Sequence, residues 1–276
     1  MSEAPQPQEK DMIRTRIWQE EPEADNPFAT RVARCHGYDV YGEMLGKAGW
    51  IDMLYLLFRG EAPTPLEAQL FENLAVALAN PGPRDPAVHA AMCGGTGGSP
   101  AAASLMAALA VGAGQLCGGR EILLAVEGWH TCGTDLDAWR KHLCTPPQDD
   151  KVSAWPKPEH PPGFDPHGVS TPLIVRQTLD CIVPLSPGVN LPWLAQQRTA
   201  LEDIARLPLS LAGVAAAAYV DLSFSAVQAE MIHLLLRLPG AAAHALEQQE
   251  YGHKKFPFYE IEFDSPPRQA DTETQI

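Results

Sequence analysis

The amino-acid sequence predicts an all-α fold, and three observations support this prediction. Most segments place apolar residues at the three- and four-residue spacing of an amphipathic helix. These segments are bounded by capping residues, prolines and glycines, which commonly start and end helices. Strands do not alternate with helices along the chain, and the segment with a strand-like alternation, FYEIEF, lies near the C-terminus.

The first half of the chain begins with a polar, Pro-rich segment, residues 1–27, which is predicted to be a flexible arm. A helix is predicted over YGEMLGKAGWIDMLYLLFR and ends at Gly60. The next helix begins after Thr64, because threonine is a good N-cap, Pro65 suits the first helical position and Glu67 stands at the capping-box position. A short helix is predicted over DPAVHAAMCGG. The Ala- and Gly-rich segment SPAAASLMAALAVGAGQLCGG predicts a tightly packed, buried helix.

The second half continues with helices over REILLAVEGWHTC and TDLDAWRKHLC, the latter capped by Thr134. Residues 145–172 contain eight prolines and are therefore predicted to be irregular; a loop of this length is often functional. Helices are predicted again over PWLAQQRTALEDIARL and AGVAAAAYVDL. A long helical pattern, SAVQAEMIHLLLRLPGAAAHALEQQE, is predicted to be interrupted at Pro239.

The composition limits the possible partners of the protein. The chain has 276 residues and a net charge of −14, without a dense run of lysine and arginine. Nucleic acids and anionic membrane surfaces are therefore not expected partners, because both need clustered cations. The N-terminus has no apolar segment typical of a secretory signal, and no apolar run reaches the roughly 18 residues that would suggest a membrane span. We expect a cytoplasmic protein.

Most of the cysteines are expected to be free, buried thiols, as is usual in a cytosolic chain. Two His-x-Cys patterns, HTC at His130 and HLC at His142, do not have the spacing of the known zinc motifs, so no metal site is expected. The six cysteines are Cys35, Cys93, Cys117, Cys132, Cys144 and Cys181.

Four segments carry more specific information when they are taken in chain order. They are GYDVYGEM with WIDMLYLLFRGEAPTPLE, then AGQLCGGREI, PEHPPGFDPHG and LRLPGAAAHALEQ. Together they resemble the citrate synthase superfamily, in particular its short citryl-CoA lyase-like members. The first resembles the family's Gly-Tyr turn and a helix ending in Leu-Leu-x-x-Gly-Glu-x-Pro-Thr. The others resemble Gly-x-x-His-Gly-Gly-Ala-x-Glu, Gly-His-Pro followed by Asp-Pro-Arg, and Arg-x-x-Gly-Trp-x-Ala-His-x-x-Glu-Gln. The resemblance covers Gly37 to Gln248.

The resemblance implies a fold and an assembly. It implies a citrate synthase-like fold with a large helical domain, a smaller helical domain inserted into it, and an active site in the cleft between them. We expect the large domain over residues 28–120 and 207–276 and the small domain over residues 121–206. It also implies a dimer, either of two identical chains or with a paralogue, because family active sites use residues of both subunits.

The resemblance also implies a reaction at a carbon–carbon bond next to a CoA thioester. In the family, an aspartate removes a proton from the acyl α-carbon, and a first histidine donates a hydrogen bond to the thioester carbonyl. A second histidine polarises the carbonyl of a 2-oxo acid, and arginines hold the carboxylates. The implied partners are an acyl-CoA and a small carboxylic acid. A coenzyme A thioester is the implied substrate, and no tightly bound cofactor is expected.

The positions that match the catalytic motifs show two agreements and three departures. His160 matches the second histidine and Arg237 matches a carboxylate-binding arginine. Cys117 replaces the first histidine, and a thiol is a weak hydrogen-bond donor. His167 replaces the arginine of Asp-Pro-Arg. In PLSLAGVAA, Ala212 stands where the family has its catalytic aspartate.

The candidate site therefore consists of Cys117 and His160 as catalytic residues and a set of residues that bind the substrate. Cys117 is either a small buried residue or a group that faces the substrate, and a nucleophilic role would need a nearby base and a lowered pKa. His160 faces either a ligand or solvent, and His167 is either a surface residue or an anion binder. The substrate-binding candidates are Arg237, His167, Gly118, Gly119 and Asp165.

Three classes of function remain open at this point. The chain is a CoA-thioester lyase or synthase, a catalytically degenerate subunit that pairs with an intact paralogue, or a module that binds CoA or a carboxylate. Loss of a positioned base typically lowers a rate by about 10²–10⁴, and loss of an enolate-stabilising donor lowers it by about 10²–10³. Cleavage tolerates these losses better than condensation, because it begins at a hydroxyl group whose proton His160 can accept.

Overall fold

The computed structural model describes residues 14–144, 160–256 and 259–262 of the chain. Within these residues α-helices dominate, which confirms the predicted all-α class. Most of the Pro-rich segment, residues 145–159, lies outside the described residues. The helices are α1 (Trp50–Arg59), α2 (Pro65–Leu78), α3 (Pro86–Thr96), α4 (Ala101–Gly112), α5 (Gly119–Cys132), α6 (Leu136–Cys144), α7 (Leu173–Ile182), α8 (Asn190–Ala205), α9 (Leu211–Asp221) and α10 (Ala226–Tyr251).

A small antiparallel sheet near the N-terminus was not predicted from the sequence. It consists of β1 (Trp18–Pro22), β2 (Thr30–Cys35) and β3 (Tyr38–Asp39), and β1 lies inside the segment expected to be a flexible arm. Glu21 on β1 pairs with an arginine of β2, Arg31, at 2.5 Å and also contacts Arg34. Cross-strand charge pairs of this kind stabilise a sheet. Strands held by such pairs need no alternating apolar pattern, which is the pattern by which a strand is predicted from sequence.

Two further predictions about regular structure are corrected. The helix predicted over YGEMLGKAGWIDMLYLLFR begins only at Trp50, and a short π-helical turn, Val40–Met44, precedes it. Residues 259–262 of FYEIEF form no strand. An alternating pattern becomes a strand only where a neighbouring strand accepts its backbone hydrogen bonds.

Helix capping follows the sequence at α2 and differs from it at α6. Glu67 N donates to Thr64 Oγ1 at 3.3 Å, and Thr64 N donates to Glu67 Oε2 at 2.7 Å, which is the predicted capping box. At α6 the cap is Asp135 instead of Thr134, because Asp135 Oδ1 accepts from the backbone of Asp137 at 2.9 Å.

The helix α10 runs without interruption through Pro239, contrary to the prediction of a break there. A proline removes one hydrogen bond of the helix ladder. The next residue, Gly240, donates its backbone N–H to the carbonyl oxygen of Ala79 at 2.7 Å, beyond the end of α2. An added Cβ on Gly240 would lie 2.6 Å from that same oxygen. Pro239 and Gly240 therefore lie where α10 closely approaches the residue that follows α2.

The core surrounds α9, an alanine-rich helix that packs against α5 and α8. Its small side chains, Ala215 to Ala218, are fully buried and allow the neighbouring helices to approach closely. Beyond them Phe224 contacts Tyr55 and Phe71, with ring centroids 5.5 Å apart in both pairs. This packing buries the region that follows the C-terminal end of α9.

The helix α4 is less buried than its composition predicts. Ser104, Ala108 and Gly112 are buried against α3 and α10, whereas Met106 and Val111 on the other side are exposed. The small residues therefore pack one face of α4 inside the chain, and the second face remains at the surface.

Candidate functional site

The centre of the candidate site is the turn that leads into α5. Cys117 adopts a left-handed backbone conformation, with φ of +52°, immediately before Gly118 at the N-cap. An added Cβ on Gly118 would lie 2.4 Å from the carbonyl oxygen of Gly114, so only glycine fits there. Gly118 and Gly119 are both buried, whereas Cys117 is exposed.

A buried glutamate, Glu121, fixes this turn. Its carboxylate accepts a hydrogen bond from the backbone N–H of Cys117 at 2.5 Å and another from the backbone N–H of Gly163 at 2.9 Å. Glu121 is 2% exposed, and hydrogen bonds of this type offset the cost of burying its charge. Glu121 therefore connects the start of α5 with the segment around Gly163.

His160 lies next to the same carboxylate. Its Nε2 atom is 3.8 Å from Glu121 Oε1, and its side chain is 8% exposed. Nε2 is buried without a hydrogen-bond partner among the described residues. A buried ring nitrogen in this state is available to a ligand, because no protein group satisfies it.

Arg237 on α10 contacts the Cys117 turn through its guanidinium group. One guanidinium nitrogen, Nη1, donates to the carbonyl oxygen of Cys117, and the other, Nη2, pairs with the carboxylate of Asp85. The side chains of Arg237 and Asp85 are 9% and 8% exposed. The structure thus brings Cys117, His160 and Arg237 into one constellation, joined through Glu121 and the backbone of the turn.

A second buried pair, His233 and Tyr219, lies near the guanidinium of Arg237. The ring of His233 approaches the hydroxyl of Tyr219 at 3.4 Å, and both residues belong to the core. Desolvation lowers the pKa of His233 to about 3, and the positive charge of Arg237 acts in the same direction. Desolvation also raises the pKa of Tyr219. His233 is therefore neutral at physiological pH.

The other predicted substrate-binding residues follow His160 along the chain. Asp165 is half-buried, and its Oδ1 accepts from the backbone of His167 at 2.9 Å, while His167 itself is exposed. The backbone N–H of Asp165 donates to the carbonyl oxygen of Pro208 at 2.9 Å. This pairing places Asp165 beside the chain that enters α9, where Ala212 is buried and offers only a methyl group.

The electrostatic environment makes the Cys117 thiol unreactive. Protein atoms crowd the sulfur although the residue reaches the surface, and this desolvation raises the pKa of Cys117 to about 12. The negative charge of Glu121 raises it further, and the charge of Arg237 opposes this. A thiol with such a pKa remains protonated at neutral pH, so it is not a nucleophile.

Two acidic residues of the site, Glu121 and Asp85, were not among the sequence predictions. Glu121 carried a signal, because it shares one face of α5 with the buried residues Ile122, Ala125 and Val126. A carboxylate on an apolar helix face is rarely buried without a partner. Asp85 carried only the signal of an N-cap, and its partner Arg237 is 152 residues away.

A polar groove of about 740 Å³ lies beside Asp165, since its lining includes Gly168 and Pro208. It begins at Gly168, where an added Cβ would lie 2.8 Å from the Asp165 carboxylate. Its lining includes Arg176, Arg198 and Arg206, of which Arg198 pairs with Glu202 at 2.9 Å. Within the described part of the chain, no group of three or more potential ligands is arranged to hold a metal ion, and no helix is long and apolar enough to cross a membrane.

Comparison with known proteins shows the fold. No family model matches the sequence, and neither does any curated protein. The structure of citryl-CoA lyase from Hydrogenobacter thermophilus is similar over 94% of this chain and 98% of that chain, with a TM-score of 0.71 and 19% sequence identity. This likeness confirms the predicted citrate synthase-like helical fold.

Two structures of ATP citrate lyase are similar as well. That from Methanothrix soehngenii, in complex with citrate and coenzyme A, has a TM-score of 0.70 and 15% identity and matches 94% of this chain. That from Methanosaeta concilii, an aspartate-to-alanine variant with (3S)-citryl-CoA, has a TM-score of 0.67 and 16% identity and matches 92% of this chain. This chain covers 42% of each of those chains.

Proposed function

We propose that this chain is a carbon–carbon bond lyase that acts on the CoA thioester of a 3-hydroxy acid, as a citryl-CoA lyase does. The observation that carries the proposal is the buried, unpartnered Nε2 atom of His160, 3.8 Å from the carboxylate of Glu121. A histidine next to a fixed carboxylate is suited to accept a proton, because the carboxylate stabilises the imidazolium that forms. The fold shared with citryl-CoA lyase supports the proposal.

In the proposed reaction, His160 accepts the proton of the 3-hydroxyl group. The bond between C2 and C3 breaks as the hydroxyl oxygen becomes the carbonyl oxygen of a 2-oxo acid. The electron pair of that bond forms the enolate of the acyl-CoA. Water protonates the enolate at its α-carbon, and the resulting hydroxide takes the proton from His160. With citryl-CoA the products are acetyl-CoA and oxaloacetate.

The same residues favour cleavage over condensation. Condensation begins with the removal of a weakly acidic proton from carbon, and Ala212 supplies no base. The protonated thiol of Cys117 is at most a weak donor to the thioester carbonyl. Cleavage begins at a hydroxyl group, whose proton His160 accepts, and water then protonates the enolate.

The proposed substrate contacts divide between the turn and the groove. We place the thioester beside the turn that contains Gly118 and Gly119, whose missing side chains let the backbone of the turn pack tightly. Arg237 and His167 are assigned to the carboxylic acid end of the substrate, and Asp165 holds the backbone of His167 in place. The phosphates of coenzyme A are assigned to the groove, because Arg176 and Arg206 extend from its exposed walls and arginine binds phosphate well.

The test of this function is an assay of the purified chain with citryl-CoA, in which oxaloacetate is detected through NADH oxidation by malate dehydrogenase. We expect His160→Gln to lower kcat by about 10²–10⁴, the usual contribution of a positioned base. The matched control is His130→Gln, since His130 is an exposed histidine of α5 outside the site. Absence of turnover by the unaltered chain would reject the function for this substrate.

A catalytically degenerate subunit is the second candidate function. Ala212 and the unreactive Cys117 favour it, because both replace groups on which the family chemistry depends. Such a subunit would contribute structure or residues to an intact paralogue. Purification from the native host tests it directly: a related chain that copurifies and restores turnover supports this function, and a purified chain that is active alone rejects it.

A further inference from the structure

The ion pair between Asp85 and Arg237 connects parts of the chain that are distant in sequence. Asp85 is the N-cap of α3, and its Oδ1 accepts from the backbone of Ala87 at 3.0 Å and of Val88 at 3.3 Å. Its other oxygen, Oδ2, contacts Nη2 of Arg237. The helix cap thus holds the Asp85 carboxylate in place with one oxygen directed at the guanidinium.

Both terminal nitrogens of Arg237 have a partner in this arrangement. Nη1 donates to the carbonyl oxygen of Cys117, and Nη2 donates to Asp85. An arginine binds a carboxylate best through two parallel hydrogen bonds from its planar fork. A carboxylate of the substrate that binds both terminal nitrogens in this way competes with Asp85 for Nη2.

The charges around the turn oppose a second carboxylate. The negative charges of Glu121, Asp85 and Asp165 all reach the Cys117 sulfur, and Arg237 is the cation that balances them there. An anionic ligand that enters beside Asp85 therefore meets repulsion as well as an occupied arginine. In a partly desolvated site such repulsion is stronger than in water.

We propose that Asp85 is an internal competitor for the carboxylate of the substrate and thereby determines the specificity of the site. The inference rests on the proposed function only in assigning Arg237 to substrate carboxylates. In the ligand-free chain, Asp85 occupies the position that a substrate carboxylate takes at Nη2. Free di- and tricarboxylic acids bind weakly for this reason. A thioester substrate is retained through its CoA part, whose binding does not depend on the displacement of Asp85.

The experiment measures citrate binding by isothermal titration calorimetry. Asp85→Ser removes the carboxylate and retains a good helix cap, because a serine hydroxyl accepts the same backbone hydrogen bonds. If an internal group occupies a binding site in most molecules, removing that group raises the apparent affinity for the ligand. The factor is the inverse of the fraction of molecules in which the site was free. We expect the citrate dissociation constant to fall by at least about tenfold.

Three further variants serve as controls. Asp135→Ser alters another N-cap aspartate, that of α6, and should leave citrate affinity unchanged. The double variant Asp85→Ser with Arg237→Gln should lose the gain, because the arginine that binds citrate is absent. Asp85→Asn preserves the size of the side chain and removes only its charge. It replaces Asp85→Ser if that variant does not fold, and we expect a smaller gain in citrate affinity from it.

The outcomes separate this inference from the proposed function. A gain in citrate affinity that requires Arg237 supports the internal competitor, whether or not citryl-CoA is cleaved. Folded Asp85→Ser and Asp85→Asn proteins with unchanged citrate affinity overturn it and show that the ion pair is structural. Cleavage of citryl-CoA by the unaltered chain would still stand in that case.

Discussion

At the residue scale, Cys117 combines a fixed backbone with a thiol of raised pKa. Its backbone N–H donates to Glu121, and its carbonyl oxygen accepts from Arg237. Crowding by protein atoms and the charge of Glu121 raise its pKa to about 12. The residue therefore shapes the turn and supplies little chemistry.

This pKa leads to a prediction about alkylation. Only the thiolate reacts with iodoacetamide, and a thiol with a pKa near 12 is about 10⁻⁴ ionised at pH 8. Cys117 should therefore be modified much more slowly than Cys93 and Cys144, which are also exposed. Its rate should still rise above pH 10 as the thiolate forms. Peptide mass spectrometry after timed labelling measures both effects, and equal labelling of the three cysteines at pH 8 would contradict the raised pKa.

Ala212 leads to a prediction about the condensation reaction. The purified chain should show negligible formation of citrate from acetyl-CoA and oxaloacetate, because the methyl group of Ala212 cannot remove a proton from the acyl carbon. Release of free CoA, followed with a thiol reagent, measures this activity. Robust turnover would mean that another carboxylate has replaced the base. Asp165 is the candidate, and Asp165→Asn would then abolish the activity.

At the element scale, the start of α5 depends on two adjacent glycines that differ in what surrounds them. An added Cβ on Gly118 meets backbone oxygens of Gly114 and Gly112 at 2.4 and 2.6 Å. On Gly119 it meets the side chains of Glu230 and Leu234 at 3.2 Å, which can move. The Gly118 position is rigid because its neighbours are main-chain atoms.

We therefore predict that Gly118→Ala is much more harmful than Gly119→Ala. Forced backbone shifts of this kind typically cost about 1–3 kcal/mol, and relaxation of side chains costs less. Urea denaturation measures the free energy of unfolding of both variants. Gly118→Ala should also increase the alkylation of Cys117, because the turn loses its shape. Equal stability of the two variants would show that the turn adapts.

At the scale of the whole molecule, the fold leaves an apolar surface on two helices. On α10, Val227, Met231 and Leu235 follow a four-residue spacing and are 40–65% exposed. On α4, Met106 and Val111 are exposed as well. Exposed apolar patches often mark interaction sites. We propose that these exposed apolar residues belong to a dimer interface that includes residues 99–116. We also propose that residues 28–120 and 207–276 form a large domain and residues 121–206 a small one.

The dimer proposal predicts the effect of two substitutions. Ala107→Glu should disrupt assembly and solubility together, because Ala107 lies half-buried on α4. Met231→Glu tests the interface without disturbing the core, since Met231 is 50% exposed. Light scattering at micromolar concentration measures the mass. A stable monomer from the unaltered chain would refute the proposal.

The sequence by itself determined the features that depend on neighbours along the chain. It specified most helices, the Thr64 capping box, and the order of the motifs that contain Cys117, His160 and Arg237. Helical periodicity and capping arise from interactions within a few residues, so they are visible in the sequence.

Only the tertiary structure decided which groups meet across long separations. The carboxylate of Glu121 accepts a hydrogen bond from the backbone N–H of Gly163, which is 42 residues away in the chain. Arg237 pairs with Asp85 across 152 residues. The continuation of α10 through its proline goes with a hydrogen-bond partner elsewhere in the fold, since Gly240 N donates to Ala79 O. A buried charge or an unpaired backbone group must find a partner, and the packing of the whole chain determines which partner is within reach.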